Sequence, residues 1–286
     1  MATVLDVPPV EAAAPPLRHR RRWIAAACAL VLLAGGGTFA GLWIGNGAHQ
    51  VPISVAQHRF HPGNTGTVKG PDPLRPAQGV YAYTGSGTEH VSFPSKTQYE
   101  GPTIPGTVIY KAQDCWSFRL DFSSNHWQSY TYCPKPKGVN LTSRSGWYRW
   151  DFVVTVVADT STYSCRPTEI AIPATLIVGQ HHTFSCRGTN NHLAIPPVIM
   201  SGYGEYLGTS TVVVQGKGLQ AVHIREVASF SGGQTGSNVA DTWYETGTYL
   251  PLKGTWSTEV HTASPVGMST MTASGRFGLS ALTPAS

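Results

Sequence analysis

Residues 115–133 read Cys115-Trp116-Ser117-Phe118-Arg119-Leu120-Asp121-Phe122-Ser123-Ser124-Asn125-His126-Trp127-Gln128-Ser129-Tyr130-Thr131-Tyr132-Cys133. Trp116, Phe118, Leu120 and Phe122 alternate with Ser117, Arg119 and Asp121. A period of two in apolar side chains is the mark of a half-buried β-strand. Ser123-Ser124-Asn125 reads as a three-residue loop, because Asn tolerates the left-handed backbone such loops need. Pairing Phe122 with His126 then sets Phe118 opposite Tyr130 and Trp116 opposite Tyr132. Aromatic pairs across two strands stabilise a sheet by roughly 0.2–1 kcal/mol each. The same register brings Cys115 opposite Cys133 on the other face.

Outward from this hairpin the period of two persists. Tyr148, Trp150, Phe152, Val154 and Val156 occupy every second position, which predicts one strand over 147–157. Further β-rich runs fall at 211–215, 219–230, 238–245 and 254–261, with a Gly/Ser cluster at 231–237 between two of them. The glycine-rich stretch 202–208 reads as a loop. No window beyond Gly79 carries a helical apolar repeat, and at most one short helix fits between residues 190 and 201. Charged residues are 12% of the chain, so polar faces are built from Ser, Thr, Asn, Gln and Gly. That suits strands better than long helices. The expected fold class is all-β: a curved antiparallel meander or half-barrel over 76–286, with about ten or more strands.

Residues 23–45 carry no charged side chain, and their length matches the ~20 apolar residues that cross a bilayer core. Arg18, Arg20, Arg21 and Arg22 precede this stretch, and the next basic side chain is Arg59. Arginines beside a span remain in the cytoplasm. The expected layout is a disordered cytoplasmic tail (1–22), a single N-terminal transmembrane helix (23–45), a linker (46–75) and an extracytoplasmic β domain (76–286). Localisation is thus the cell membrane, single-pass, with the membrane itself a partner. Thr38-Phe39-Ala40 offers a signal-peptide cleavage site as the competing reading. Ala25-Ala26-Ala27-Cys28 imitates a lipobox, but its apolar run follows the cysteine instead of preceding it. A buried core helix is disfavoured by the one-sided arginine cluster.

Net charge is +5, yet beyond Pro76 thirteen basic side chains face twelve acidic ones. A nearly neutral domain excludes a nucleic-acid footprint.

Of five cysteines, Cys28 lies in the span and Cys115, Cys133, Cys165 and Cys186 lie in the β domain. Four cysteines in an oxidising compartment allow three disulfide connectivities. The hairpin register favours Cys115–Cys133, leaving Cys165–Cys186. That second pair sits in echoing contexts, Thr162-Tyr163-Ser164-Cys165-Arg166 and Thr183-Phe184-Ser185-Cys186-Arg187. A zinc site is the rival reading, but no Cys-x-x-Cys occurs. His58 and His61 are spaced as helical ligands would be, in a segment with no helical signal, so no metal is expected. His181-His182 reads as a strand pair with one ring on each face.

Motifs for a serine elbow, a zincin or a P-loop are absent. Cys165-Arg166 and Cys186-Arg187, with His181 and His182 nearby, imitate a sortase-like cysteine transpeptidase. That family's Thr-Leu-x-Thr-Cys signature is missing, and disulfides would consume the thiolate it needs. Asp121, Asp151, Glu226, Asp241, Glu245 and Glu259 give no reason to pair as a glycosidase dyad and read as solvated strand faces. No enzyme and no cofactor is expected.

Trp243-Tyr244-Glu245-Thr246-Gly247-Thr248-Tyr249-Leu250-Pro251-Leu252-Lys253, closing with Phe277-Gly278-Leu279-Ser280-Ala281-Leu282-Thr283-Pro284, resembles the C-terminal half of periplasmic lipoprotein-carrier-like, Lol-type half-barrel domains. Ile172-Pro173 followed by Val178-Gly179 is similar to another of their turns. The chain departs from them in having no helical plug and an apolar span in place of a lipid anchor. The resemblance implies a concave apolar face that receives acyl chains. Trp116, Phe118, Tyr130, Tyr132, Trp150 and Phe152 are the candidate ligand face, and the expected function is binding or carriage of an apolar, lipid-like molecule. A non-catalytic structural or partner-binding envelope domain is the alternative, in which these aromatics are only core.

Overall fold

The computed structural model describes residues 48–63, 75–152, 155–191, 196–264 and 267–285. The expected tail and span, 1–45, lie outside them, as do 46–47 and 64–74 of the expected linker. No described helix is long and apolar enough to cross a membrane.

Thirteen strands follow one another: β1 (Gly79–Ser92), β2 (Ser95–Glu100), β3 (Thr103–Tyr110), β4 (Trp116–Ser123), β5 (His126–Lys135), β6 (Gly138–Asp151), β7 (Val156–Pro173), β8 (His181–Asn190), β9 (Val198–Val214), β10 (Lys217–Gly232), β11 (Gln234–Glu245), β12 (Pro251–Ser264) and β13 (Gly267–Leu279). From β3 to β13 each pairs antiparallel with the next in sequence. β2 and β3 share one edge of β1: β3 pairs with Gly79–Thr84 and β2 with Gly87–Ser92. The other edge of β1 pairs with β13 from Tyr83↔Leu279 to Val91↔Met271. The sheet therefore closes into a barrel twelve strands round. The expected open half-barrel is corrected here. The physical reason is the nine-pair β1–β13 ladder, which removes the two edges a meander would leave unpaired.

The hairpin that decides the fold forms as its alternation predicts, with one change. Phe118 faces Tyr130 and Trp116 faces Tyr132, but Ser123, not Phe122, pairs with His126. The register shifts by one residue between Asp121 and Ser123, and the turn tightens to Ser124-Asn125. Phe122 and His126 still both point inward, stacked with ring centroids 4.8 Å apart. A bulge lets two neighbouring positions keep their faces while the strand bends.

Two other expectations change. The apolar run 147–157 is two strands, because the chain reverses between Phe152 and Thr155, whose backbones bond to each other in both directions. Val153 and Val154 lie outside the described residues. Residues 202–208 are not a loop but the middle of β9. A Cβ at Gly202 would sit 2.0 Å from the Val227 carbonyl oxygen, so glycine is there to admit the neighbouring strand. The runs at 219–230, 238–245 and 254–261 are all strand, within longer elements, and so is 211–214, with Gln215 in the turn after β9. The helix allowed for at 190–201 is replaced from Val198 by β9, and residues 192–195 lie outside the described residues.

Residues 53–59 form α1 (Ile53–Arg59), in a stretch whose sequence signals a linker without helix. Its N-cap Pro52 makes no side-chain cap, and seven residues are too few to stand alone in water. Tertiary packing supplies the missing stability. Val51 and Ala56 are buried, and His49 bonds through both its backbone groups to Ser124. Val51, Pro52, Val55 and Arg59 border a groove shared with Arg119, Asp121, Trp127 and Trp147, side chains on the outer face of β4–β6.

One end of the barrel is packed shut. Tyr81, Tyr83, Trp116, Tyr132, Val214, Ala221, Leu250, Leu252 and Leu279 belong to one continuous buried cluster there. Tyr83 donates its hydroxyl to the Pro251 carbonyl at 2.8 Å, which satisfies a phenol with no access to water. The chain end seals the same side, with Ala285 N–H donating to the Val80 carbonyl at 2.7 Å.

Both expected disulfides are present, Cys115–Cys133 and Cys165–Cys186. The first lies on the face opposite Trp116 and Tyr132. The second lies inside the barrel, packed with Phe184, Met200 and Ala228. No described cysteine is left as a thiolate for sortase-like chemistry.

Candidate functional site: the barrel lumen

The packed end fills only part of the lumen. Toward the other end the inward side chains leave a cavity of about 530 Å³. Its rim carries Phe93 and Pro94 from the β1–β2 turn, Phe152 from the β6–β7 turn, Gln234 of β11 and Ser269 of β13. The sheet alternation decides what faces in. On β6, Arg144, Gly146, Tyr148 and Trp150 point to the lumen, and on β7 Val157, Asp159, Ser161 and Tyr163 do so. On β10 Glu226 and Phe230 face in, and on β11 Asn238, Ala240, Thr242 and Tyr244.

Of the six candidate ligand-face residues, Phe118, Tyr130, Tyr132, Trp150 and Phe152 line this cavity. Trp116 faces the same interior but is buried in the packed end, stacked on Tyr132 at 5.6 Å. The aromatic face is thus part core and part cavity wall.

The polar groups in the lumen are the ones sequence reading did not bring together. Arg144 donates from Nη1 and Nη2 to Glu226 Oε1 and Oε2, both at 2.8 Å. Asn238 adds a bond to Oε1 at 3.2 Å. Asp159 accepts from Asn190, which also donates to Ser161 Oγ at 2.9 Å. Glu226 is therefore not on a solvated face, and neither is Asp121. Asp121 is buried beside Arg119, whose Nη2 lies 2.6 Å from it. Asp241 does sit on an outer face, bonded by His223 and Arg225. Burial raises the Tyr163 hydroxyl to about 12, with Arg144 pulling it down and Asp159 pushing it up.

A second polar group lies just behind the cavity wall. His126, fully buried, is sandwiched between Phe122 and Tyr148, whose ring centroids lie 4.8 and 4.2 Å away. Its Nδ1 is 2.9 Å from Glu89 Oε1 and in direct contact with Glu100 Oε1. Glu89 is 1% exposed and its other oxygen accepts from Gln98. Burial is the largest influence on His126 and lowers its pKa. The charges and hydrogen bonds of Glu89 and Glu100 outweigh it and hold the ring at about 10. Burial raises the Glu100 carboxyl above its usual range, and His126 opposes that. The three residues come from β1, β2 and β5. Their separations of 11 and 26 positions carry no motif: Glu89 and Glu100 share a face of the β1–β2 hairpin, and His126 meets them from β5. The nearest sequence signal is that Glu89 falls on the phase of β1 that also carries Tyr81 and Tyr83, whereas the matching phase of β2, Lys96, Gln98 and Glu100, is polar throughout.

His181 and His182 lie on opposite faces of β8 as read, with His181 stacked on Tyr203 outside. His58 and His61 have no third ligand among the described residues.

No protein-family model, no curated protein and no solved structure matches this chain.

Proposed function

We propose that the chain is a membrane-anchored cell-envelope domain whose barrel holds an apolar, lipid-like ligand in its lumen. The single observation that carries this reading is the cavity itself. Its volume falls in the 300–1,000 Å³ range of small-molecule sites, with aromatic walls and a few convergent polar groups. A barrel meant only as scaffold fills its interior with side chains at crystal-like density, as the shut end here does. The ion pair Arg144–Glu226 and the amide of Asn238 give a ligand's polar end something to meet, while Phe118, Trp150 and Phe152 take its hydrocarbon. The two disulfides support an oxidising, extracytoplasmic address. The apolar stretch 23–45, flanked by arginines on one side, supports a single span with the N-terminus inside.

The experiment is organic extraction of the purified protein with mass spectrometry, alongside titration with an apolar fluorophore. A co-purifying lipid, displaced by the dye, supports carriage. Ala240→Trp, which fills the lumen from one wall, should abolish dye binding while circular dichroism stays unchanged. A domain that yields no lipid and binds no dye leaves the structural, partner-binding reading in its place.

A further inference from the structure

We propose that Glu89, Glu100 and His126 form a binding site for one divalent first-row metal ion, of which Zn²⁺ is the type, just behind the wall of the barrel cavity. This goes beyond the lipid reading and does not depend on it.

The ligand set fits. One carboxylate oxygen from each glutamate and Nδ1 of His126 lie within 4.8 Å of one another, and all three residues are buried. Imidazole nitrogen with carboxylate oxygen is a donor set for zinc and its neighbours, at about 2.0–2.2 Å per bond. Ligand atoms around a tetrahedral ion of that size stand about 3.3 Å apart. The 2.9 Å between His126 Nδ1 and Glu89 Oε1 needs to open by a few tenths of an ångström, and the shorter contact of Nδ1 with Glu100 Oε1 by more.

The buried carboxylate oxygens offer lone pairs that a cation would occupy. Side chains of Glu89 and Glu100 are each 1% exposed. Yet Glu100 Oε2 and Glu89 Oε1 are left without a geometric hydrogen-bond partner among the described residues, apart from the ion-pair contact of Glu89 Oε1 with the imidazole and the approach of the two carboxyls to each other. Buried carboxylate oxygens without donors are costly. A dication facing two carboxylates and a neutral imidazole makes the site electrically neutral and occupies those lone pairs.

The surroundings are built for it. A Cβ at position 87 would stand 2.1 Å from Glu100 Oε2, so Gly87 leaves the space that oxygen uses. Gln98 holds the outer oxygen of Glu89, as supporting residues around metal ligands do. With the ion on Nδ1, the imidazole proton sits on Nε2, which faces the Gln128 amide at 3.1 Å. That amide accepts the proton when its oxygen is turned inward. Phe122 and Tyr148 clamp the ring on both faces.

The test uses the full chain, purified without chelator and then incubated with Zn²⁺ and gel-filtered, with metal counted by inductively coupled plasma mass spectrometry. The expected result is about one equivalent of Zn²⁺, falling at least tenfold in Glu100→Gln and in His126→Gln. Co²⁺ added to the wild-type protein should give the visible bands of a low-coordinate nitrogen/oxygen site, which zinc then bleaches. This second readout holds even where a variant fails to fold. Less than a tenth of an equivalent on folded wild-type protein, with no cobalt spectrum, overturns the proposal. Zinc retained undiminished by folded variants at both positions places the ion elsewhere and overturns it equally.

Discussion

Arg144 and Glu226 grip each other across the lumen, fork to fork, at 2.8 Å on both arms. They come from β6 and β10, with three strands between them in the barrel wall. The pair is therefore a chord through the interior and not a ladder contact. Both side chains keep only about an eighth to a seventh of their surface exposed, 13% and 15%.

Breaking that chord on one side leaves a charge in the lumen without its partner. Glu226→Ala is expected to destabilise the barrel by about 3 kcal/mol, read as a lower urea midpoint. Replacing both residues, Arg144→Met with Glu226→Leu, should cost less than either single change, because no buried charge is then stranded. Equal and additive losses would show that the pair is screened by lumen water.

Closure of the barrel depends on how nearly β1 and β13 approach. A Cβ at Gly85 would lie 2.2 Å from the Arg276 carbonyl oxygen and 3.0 Å from Phe277 Cα. Both are backbone atoms of the facing strand, so neither can swing away. Gly85→Ala should cost about 1–3 kcal/mol and raise hydrogen exchange at Tyr83–Val91 before any other strand. Uniform exchange across the barrel would argue that the seam is no weaker than the rest.

Tyr163 carries a pH signature. Its hydroxyl is raised to about 12 in the folded protein against the ordinary 10, chiefly by burial. A group with a raised folded pKa contributes stability that is complete below the unfolded value and is lost as pH rises through the folded one. Stability should thus decline between about pH 10 and 12. Tyr81, also at about 12, acts in the same direction. Tyr163→Phe should flatten that decline and remove one late-titrating phenol from the absorbance at 295 nm. A wild-type curve already flat there would mean that the lumen admits water to Tyr163.

Each disulfide closes a loop of modest size, with sequence separations of 18 and 21. Losing either should cost about 3 kcal/mol in the chain-entropy account. Native protein should therefore offer none of Cys115, Cys133, Cys165 and Cys186 to an alkylating reagent. Reduction should expose Cys115 and Cys133 first, because Cys165 and Cys186 face the interior at 2% and 0% exposure. Simultaneous release of all four would mean that the barrel opens as one unit.

What the sequence determined by itself was local. Alternation of Trp116, Phe118, Leu120 and Phe122 with polar residues specifies a strand and its inward face, since side chains on a strand alternate whatever the partner. Aromatic matching across 116–132 specifies a register, and that register places Cys115 against Cys133. The tertiary structure decided everything that needed a count of neighbours. Closure depends on β13 reaching β1, a contact nearly two hundred residues apart whose glycine-rich register has no local signature. α1 forms because it packs against β1 and β3 and buries Ala56, not because its seven residues favour a helix. Glu226 and Asp121 look like surface acids until the barrel closes round one and α1 borders the other. Glu89 and Glu100 are neighbours on one face of the β1–β2 hairpin, but His126 joins them from β5 only in the folded sheet. Residue phase is written in the chain, whereas the radius of the barrel, and with it the cavity and its charges, follows from packing alone.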